Sequence, residues 1–122
     1  MINLLFLLAT AQASDVYDVC RIERQRWSER EQKFKAERVQ TFISFEMMQI
    51  IVHNRTIEVD RDHRKIESKF TQSGNQCWRE HDNSFLCYDE SEKMLFWEWN
   101  KRNGDTLMDV MTICRINGEP AR

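Results

Sequence analysis

From Met48 to Trp99 apolar residues recur at alternate positions, and successive candidate hairpins agree on which face is apolar. Met48, Ile50 and Val52 alternate with Gln49, Ile51 and His53, and Ile57 and Val59 alternate with Glu58 and Asp60. A period of two marks strands that bury one face. A turn at Asn54-Arg55 pairs Val52 with Ile57 and Ile50 with Val59, so all four face one side. The next turn, Arg61 to Arg64, pairs Val59 with Ile66 and brings Phe70 to that side, while setting Glu58 beside Glu67. A one-residue slip would invert a whole strand, so agreement between strands outweighs the evidence of any one.

A second meander follows. A turn at His81-Asp82-Asn83 sets Trp78 opposite Leu86 and Cys77 opposite Cys87. Residues 90–93 then turn the chain so that Tyr88 meets Leu95 and Leu86 meets Trp97. Asn103-Gly104 is a hairpin signal leading into a last strand, Thr106 to Ile116. Trp78, Leu86, Tyr88, Leu95, Trp97 and Trp99 share what is read as the inner face, where the tryptophans are expected to fill the interior. Phe85, Phe96 and Met111 fall on the other face as candidates for an exposed apolar patch. A bulge at Gly104 would shift the final register by one.

Cys20, Cys77, Cys87 and Cys114 give three possible connectivities. Cys77 and Cys87 stand directly opposite in their hairpin, where Cα separations suit a disulfide. Cys20 is then left with Cys114, tying the start of the domain to its last strand; the rival set is Cys20–Cys77 with Cys87–Cys114. The lack of Cys-x-x-Cys spacing argues against a zinc knuckle or a thioredoxin-type site.

The first part of the chain carries a different signal. Ser28 followed by Glu31 reads as a capping box, and Glu29–Lys33 and Glu31–Lys35 sit at helical i,i+4 spacing. These predict a short helix near residues 28–39, with a highly charged strand as the alternative. Residues 21–38 hold seven basic side chains against four Glu, whereas 79–92 are strongly acidic. Arg21, Arg24 and Arg26 are therefore candidate contacts for an acidic partner, with Phe85 and Phe96 as candidate apolar contacts. A net charge of −2 gives no general pull toward nucleic acid.

Residues 1–13 read as a signal peptide. Leu4 to Ala9 is a short apolar run, and Ala11-Gln12-Ala13 has the small-x-small form of a cleavage site. The run falls short of the roughly 20 residues that span a bilayer. Residues 14–122 are then a single domain, secreted or periplasmic, where paired thiols oxidise. Hydrophobic residues are 41% and aromatic residues 11% of the chain, enough for a core. Asn54-Arg55-Thr56 is a glycosylation sequon in a turn.

No cofactor motif stands out. Asp60-Arg61-Asp62-His63 offers ligand atoms, but Arg61, Arg64 and Lys65 oppose a cation, and calcium-loop spacing is lacking. There is no Gly-x-Ser-x-Gly elbow. Glu58, Arg79 and His81 could form an acid–base set of the kind a small secreted ribonuclease uses, although dense charge produces such triples by accident. The fold expected is mainly β (α+β), an antiparallel up-and-down meander curling toward a barrel, with one short helix and two disulfides. The function expected is that of a small exported, non-enzymatic binding or accessory protein with a protein partner. A secreted hydrolase of ribonuclease type is the alternative, and a ligand carrier requires a cavity that the tryptophans are expected to occupy.

Overall fold

The alternating segments fold as antiparallel strands, seen in a computed structural model that describes residues 14–42, 47–53, 56–62, 64–74, 76–80, 84–101 and 103–121. The predicted leader (1–13), the Asn54-Arg55 turn, His63 and the His81-Asp82-Asn83 turn lie outside the described residues. The strands are β1 (Asp15–Ser28), β2 (Lys33–Thr41), β3 (Met48–Val52), β4 (Thr56–Arg61) and β5 (Arg64–Gly74). They continue as β6 (Cys77–Glu80), β7 (Phe85–Asp89), β8 (Met94–Asn100), β9 (Thr106–Ile116) and β10 (Glu119–Pro120). All belong to one sheet, ordered β10-β9-β8-β7-β6-β5-β4-β3-β1-β2, and β9 pairs back onto β1.

That last pairing curls the sheet on itself. β1 gives one edge to β9 along Tyr17–Arg26. Its other edge serves β3 along Asp15–Asp18 and β2 along Arg21–Ser28. The lower half is thus a ring running β1-β3-β4-β5-β6-β7-β8-β9, and the upper half an arch of β2, β1, β9 and β8. The β1–β9 register shifts on both sides of Val19, which leaves Cys20 without a cross-strand partner on β9. This bulge re-phases the alternation, so Tyr17 and Val19 face inward below it and Ile22 above it.

The lower ring is packed. Val19, Ile50, Ile57, Leu86 and Leu95 are buried, and the Tyr17 and Tyr88 rings meet at 5.1 Å between centroids. The hairpin registers are those that alternation requires: Ile50 opposite Val59, Val59 opposite Ile66, Trp78 opposite Leu86 and Leu86 opposite Trp97. Glu58 does lie opposite Glu67. Two disulfides, Cys20–Cys114 and Cys77–Cys87, tie the outer side of this wall. Asp18, buried beside the first, takes hydrogen bonds from Arg115 Nε at 2.8 Å and Gln49 Nε2 at 2.7 Å.

Two expectations are corrected. Among the described residues there is no helix: residues 28–39 form the end of β1, a turn and most of β2. The helix signals exist but serve that turn. Ser28 Oγ accepts from the Glu31 backbone N at 3.2 Å, Lys35 pairs with Glu31, and Gln32 takes a positive φ of 53° that reverses the chain. Trp27 packs edge-on against Phe34 across the hairpin, an apolar pair too thin to bury a helix. The second correction is Met111, which is fully buried on the inner face opposite Leu95. Asn103-Gly104 is part of a longer loop in which Lys101 N donates to Asp105 O at 2.8 Å, and Asn100 pairs with Thr106. The longer loop moves β9 by one residue and turns Met111 inward.

Crosslinks act on the unfolded chain, and more strongly for longer loops. The 94-residue separation of Cys20 and Cys114 predicts that removing both by alanine lowers unfolding free energy by about 4–5 kcal/mol. The 10-residue separation of Cys77 and Cys87 predicts about 3 kcal/mol, and urea titration of the two double variants measures the order. A further prediction concerns Tyr17, whose pKa is pushed up from 10.0 to about 12, first by burial and then by Asp15 and Tyr88. The unfolded tyrosine ionises first as pH rises. Stability from this group is therefore intact below 10.0 and lost as pH climbs toward about 12. Melting curves of the wild type and Tyr17→Phe across that range should show the smaller alkaline loss in the variant.

Candidate functional site

Above the packed ring the interior opens into a cavity of about 800 Å³ among the described residues. Its apolar wall comes from Ile22, Met48, Val59, Ile66, Trp97, Trp99 and Met111. Trp97 and Trp99, set two apart on β8, meet edge-to-face at 6.5 Å and line the space rather than filling it. The interior is therefore not closed by tryptophan as the sequence suggests. Ile66 is 66% exposed although it shares the inward-facing phase of Val59. Its β5 partner strand changes from β4 along Arg64–Lys69 to β6 along Phe70–Gly74, which leaves the upper half of β5 at the rim.

Polar groups enter this wall at defined points. Arg24 grips Asp109 with two hydrogen bonds, Nε to Oδ1 at 3.0 Å and Nη2 to Oδ2 at 3.1 Å. Asp109 is buried, and the bond to it is the main cause of a raised Arg24 pKa. The Arg24 guanidinium also lies over the Trp99 ring at 4.9 Å, a cation–π contact. Arg61 and Arg64 stand opposite each other at the end of the β4–β5 hairpin and both line the cavity. Arg61 donates to Gln40 Oε1 and lies over the Phe42 ring at 5.6 Å. Asp62, exposed on the same turn, is the other carboxylate of the lining besides Asp109.

The structure distributes the predicted basic cluster. Arg24 points into the cavity, whereas Arg21 pairs with Glu23 at 3.3 Å. Arg26 bridges Glu37 at 2.6 Å and Asp105, clamping the β1–β2 hairpin to the β8–β9 loop. Phe85 and Phe96 are half-buried on the outer side, Phe85 beneath the Arg79 guanidinium at 5.6 Å. Glu58 lies within 3.8 Å of His53 and 3.9 Å of Lys65, and of its proposed catalytic companions His81 lies outside the described residues. Sequence reading passed over Arg61, Arg64, Met48 and Ile66 as a site. The signal was present: the period that puts Val59 and Ile66 inside puts Arg61 and Arg64 there too.

Comparison with family models, curated proteins and solved structures returns no match. Among the described residues no helix is long and apolar enough to cross a membrane.

The Arg24–Asp109 pair carries a stability prediction. Asp109→Ala leaves a guanidinium without its counter-charge, costing about 1–3 kcal/mol, below the value for a fully buried pair because Arg24 keeps contact with water. Arg24→Met with Asp109→Leu should recover most of that loss in the same denaturant titration.

Proposed function

We propose that the protein is a non-enzymatic binding protein that takes one small, largely apolar molecule into the upper half of its barrel. The observation that carries this reading is the cavity of about 800 Å³ whose aromatic and aliphatic wall is left unfilled among the described residues. Ligand sites fall in the range of roughly 300–1,000 Å³ and combine an apolar lining with a few placed polar groups. Eight-stranded rings are of the size that either fills with side chains or holds a single small ligand. Here the lower half does the first and the upper half has room for the second.

A protein partner on the basic cluster is less well supported, because Arg21, Arg24 and Arg26 each have a carboxylate within hydrogen-bond reach. A ribonuclease-type reaction finds Glu58 on the outer phase of β4, away from the cavity. Two disulfides are compatible with an oxidising extracellular or periplasmic location, and export by the 1–13 leader belongs to this proposal.

The neutral fluorophore N-phenyl-1-naphthylamine tests the reading. Its emission should rise saturably on addition of protein, with one molecule bound per chain. Ile66→Trp places an indole at the rim, at a site open enough to avoid overpacking, and should weaken binding about tenfold with little change in melting temperature. Absence of saturable binding, or equal affinity of a folded Ile66→Trp variant, overturns the proposal.

A further inference from the structure

Resting on the cavity reading, we propose that the bound molecule is an amphiphilic carboxylate. Its head is held at the rim by Arg61 and Arg64, and its apolar body lies along Val59, Ile66, Met48 and Trp97. The argument begins with charge. Arg61 and Arg64 are direct cross-strand partners on the inner face, and like charges placed opposite each other repel. Neither has a carboxylate within ion-pair distance among the described residues, whereas Arg21, Arg24, Arg26 and Arg115 all do. An anion between the two guanidinium groups removes the repulsion and matches their planar donor geometry.

The head carries one charge and not two. Among the described residues, Asp62 sits on the same turn and offsets one of the two arginines, leaving a net of about one positive charge at this side of the rim. Asp109 adds nothing to that balance, because both of its oxygens are held by Arg24. A cationic head would meet Arg61 and Arg64 together, while Arg24 is compensated by the same pairing with Asp109. A neutral molecule would leave the opposed pair uncompensated. The body follows from the wall below: Val59 and Ile66 are the next inward residues after Arg61 and Arg64, and Ile66 is 66% exposed until something covers it. An apolar chain starting at the arginines meets these two and the buried Met48, which stands opposite Arg61 on β3, with the buried Met111 also on the lining.

Displacement of N-phenyl-1-naphthylamine by dodecanoate, dodecanol and dodecyltrimethylammonium, at a pH where the carboxylate is ionised, separates the head groups. Dodecanoate should displace the probe at about tenfold lower concentration than dodecanol, with the cation weakest. In the double variant Arg61→Gln/Arg64→Gln, dodecanoate should fall to the level of dodecanol. Each displacement curve is read against the variant's own probe affinity, so the ratio of dodecanoate to dodecanol reports the head group whatever the loss of the Arg61 contacts with Gln40 and Phe42 does to stability. Equal displacement by dodecanoate and dodecanol, preference for the cation, or an unchanged dodecanoate curve in the variant overturns the carboxylate assignment while leaving the cavity reading standing. Failure of the probe itself to bind removes both.

Discussion

Everything in this fold depends on β1 being long enough to hold two sets of neighbours. Its lower half closes the ring between β3 and β9, and its upper half carries β2 beyond that ring. A strand ending near Cys20 would have made a short, filled barrel. The extra length instead raises an arch whose inner side has no facing strand at the same level among the described residues. The bulge around Val19 makes this workable, because it keeps Tyr17, Val19, Ile22 and Arg24 pointing into the interior through the change of neighbour. The Cys20–Cys114 crosslink sits at the same place and fixes β1 to β9 there.

The arch brings charge into an apolar wall, and the wall handles it unevenly. A buried carboxylate such as Asp109 is tolerable only when its counter-charge and hydrogen bonds are complete, which Arg24 supplies with a bidentate grip. Arg26 is tied to Glu37 and Asp105 in the same manner at the top of the arch. These contacts hold the arch to the loop between β8 and β9 and consume the local carboxylates. The arginines of the β4–β5 turn, outside this network, have no carboxylate within ion-pair distance among the described residues, at the place where the wall turns apolar.

The β3–β4–β5 and β6–β7–β8 registers were legible because each was fixed twice, by its own alternation and by that of its neighbour. Elsewhere a local signal competed with a distant partner. Ser28, Glu31 and Lys35 satisfy helix rules and hairpin-turn rules alike, and β9, remote in sequence, holds β1 extended as far as Arg26 and so decides for the hairpin. β1 itself was hidden because its bulge breaks the alternation at Val19 and Cys20. Met111 was placed outside because Asn103-Gly104 suggests a two-residue turn, while the chain spends Lys101 to Asp105 on the reversal. The cavity was the least legible feature. Inward-facing tryptophans read as filling unless the height of the opposite wall is known, and strand ends set that height.

An interior left partly empty forgoes apolar burial that a small domain can ill spare. This chain has another source of stability that takes up no interior volume. Cys77 and Cys87 lie on the outer phase of their strands, next to the inward Trp78 and Leu86, and Cys114 is likewise next to the buried Ile113. Both crosslinks therefore run along the outside of the wall. They limit the unfolded chain without entering the core, so the lower ring can be small and the upper half open. Filling the cavity with side chains would have served stability equally well. Holding the barrel from the outside lets the space stay free of side chains among the described residues.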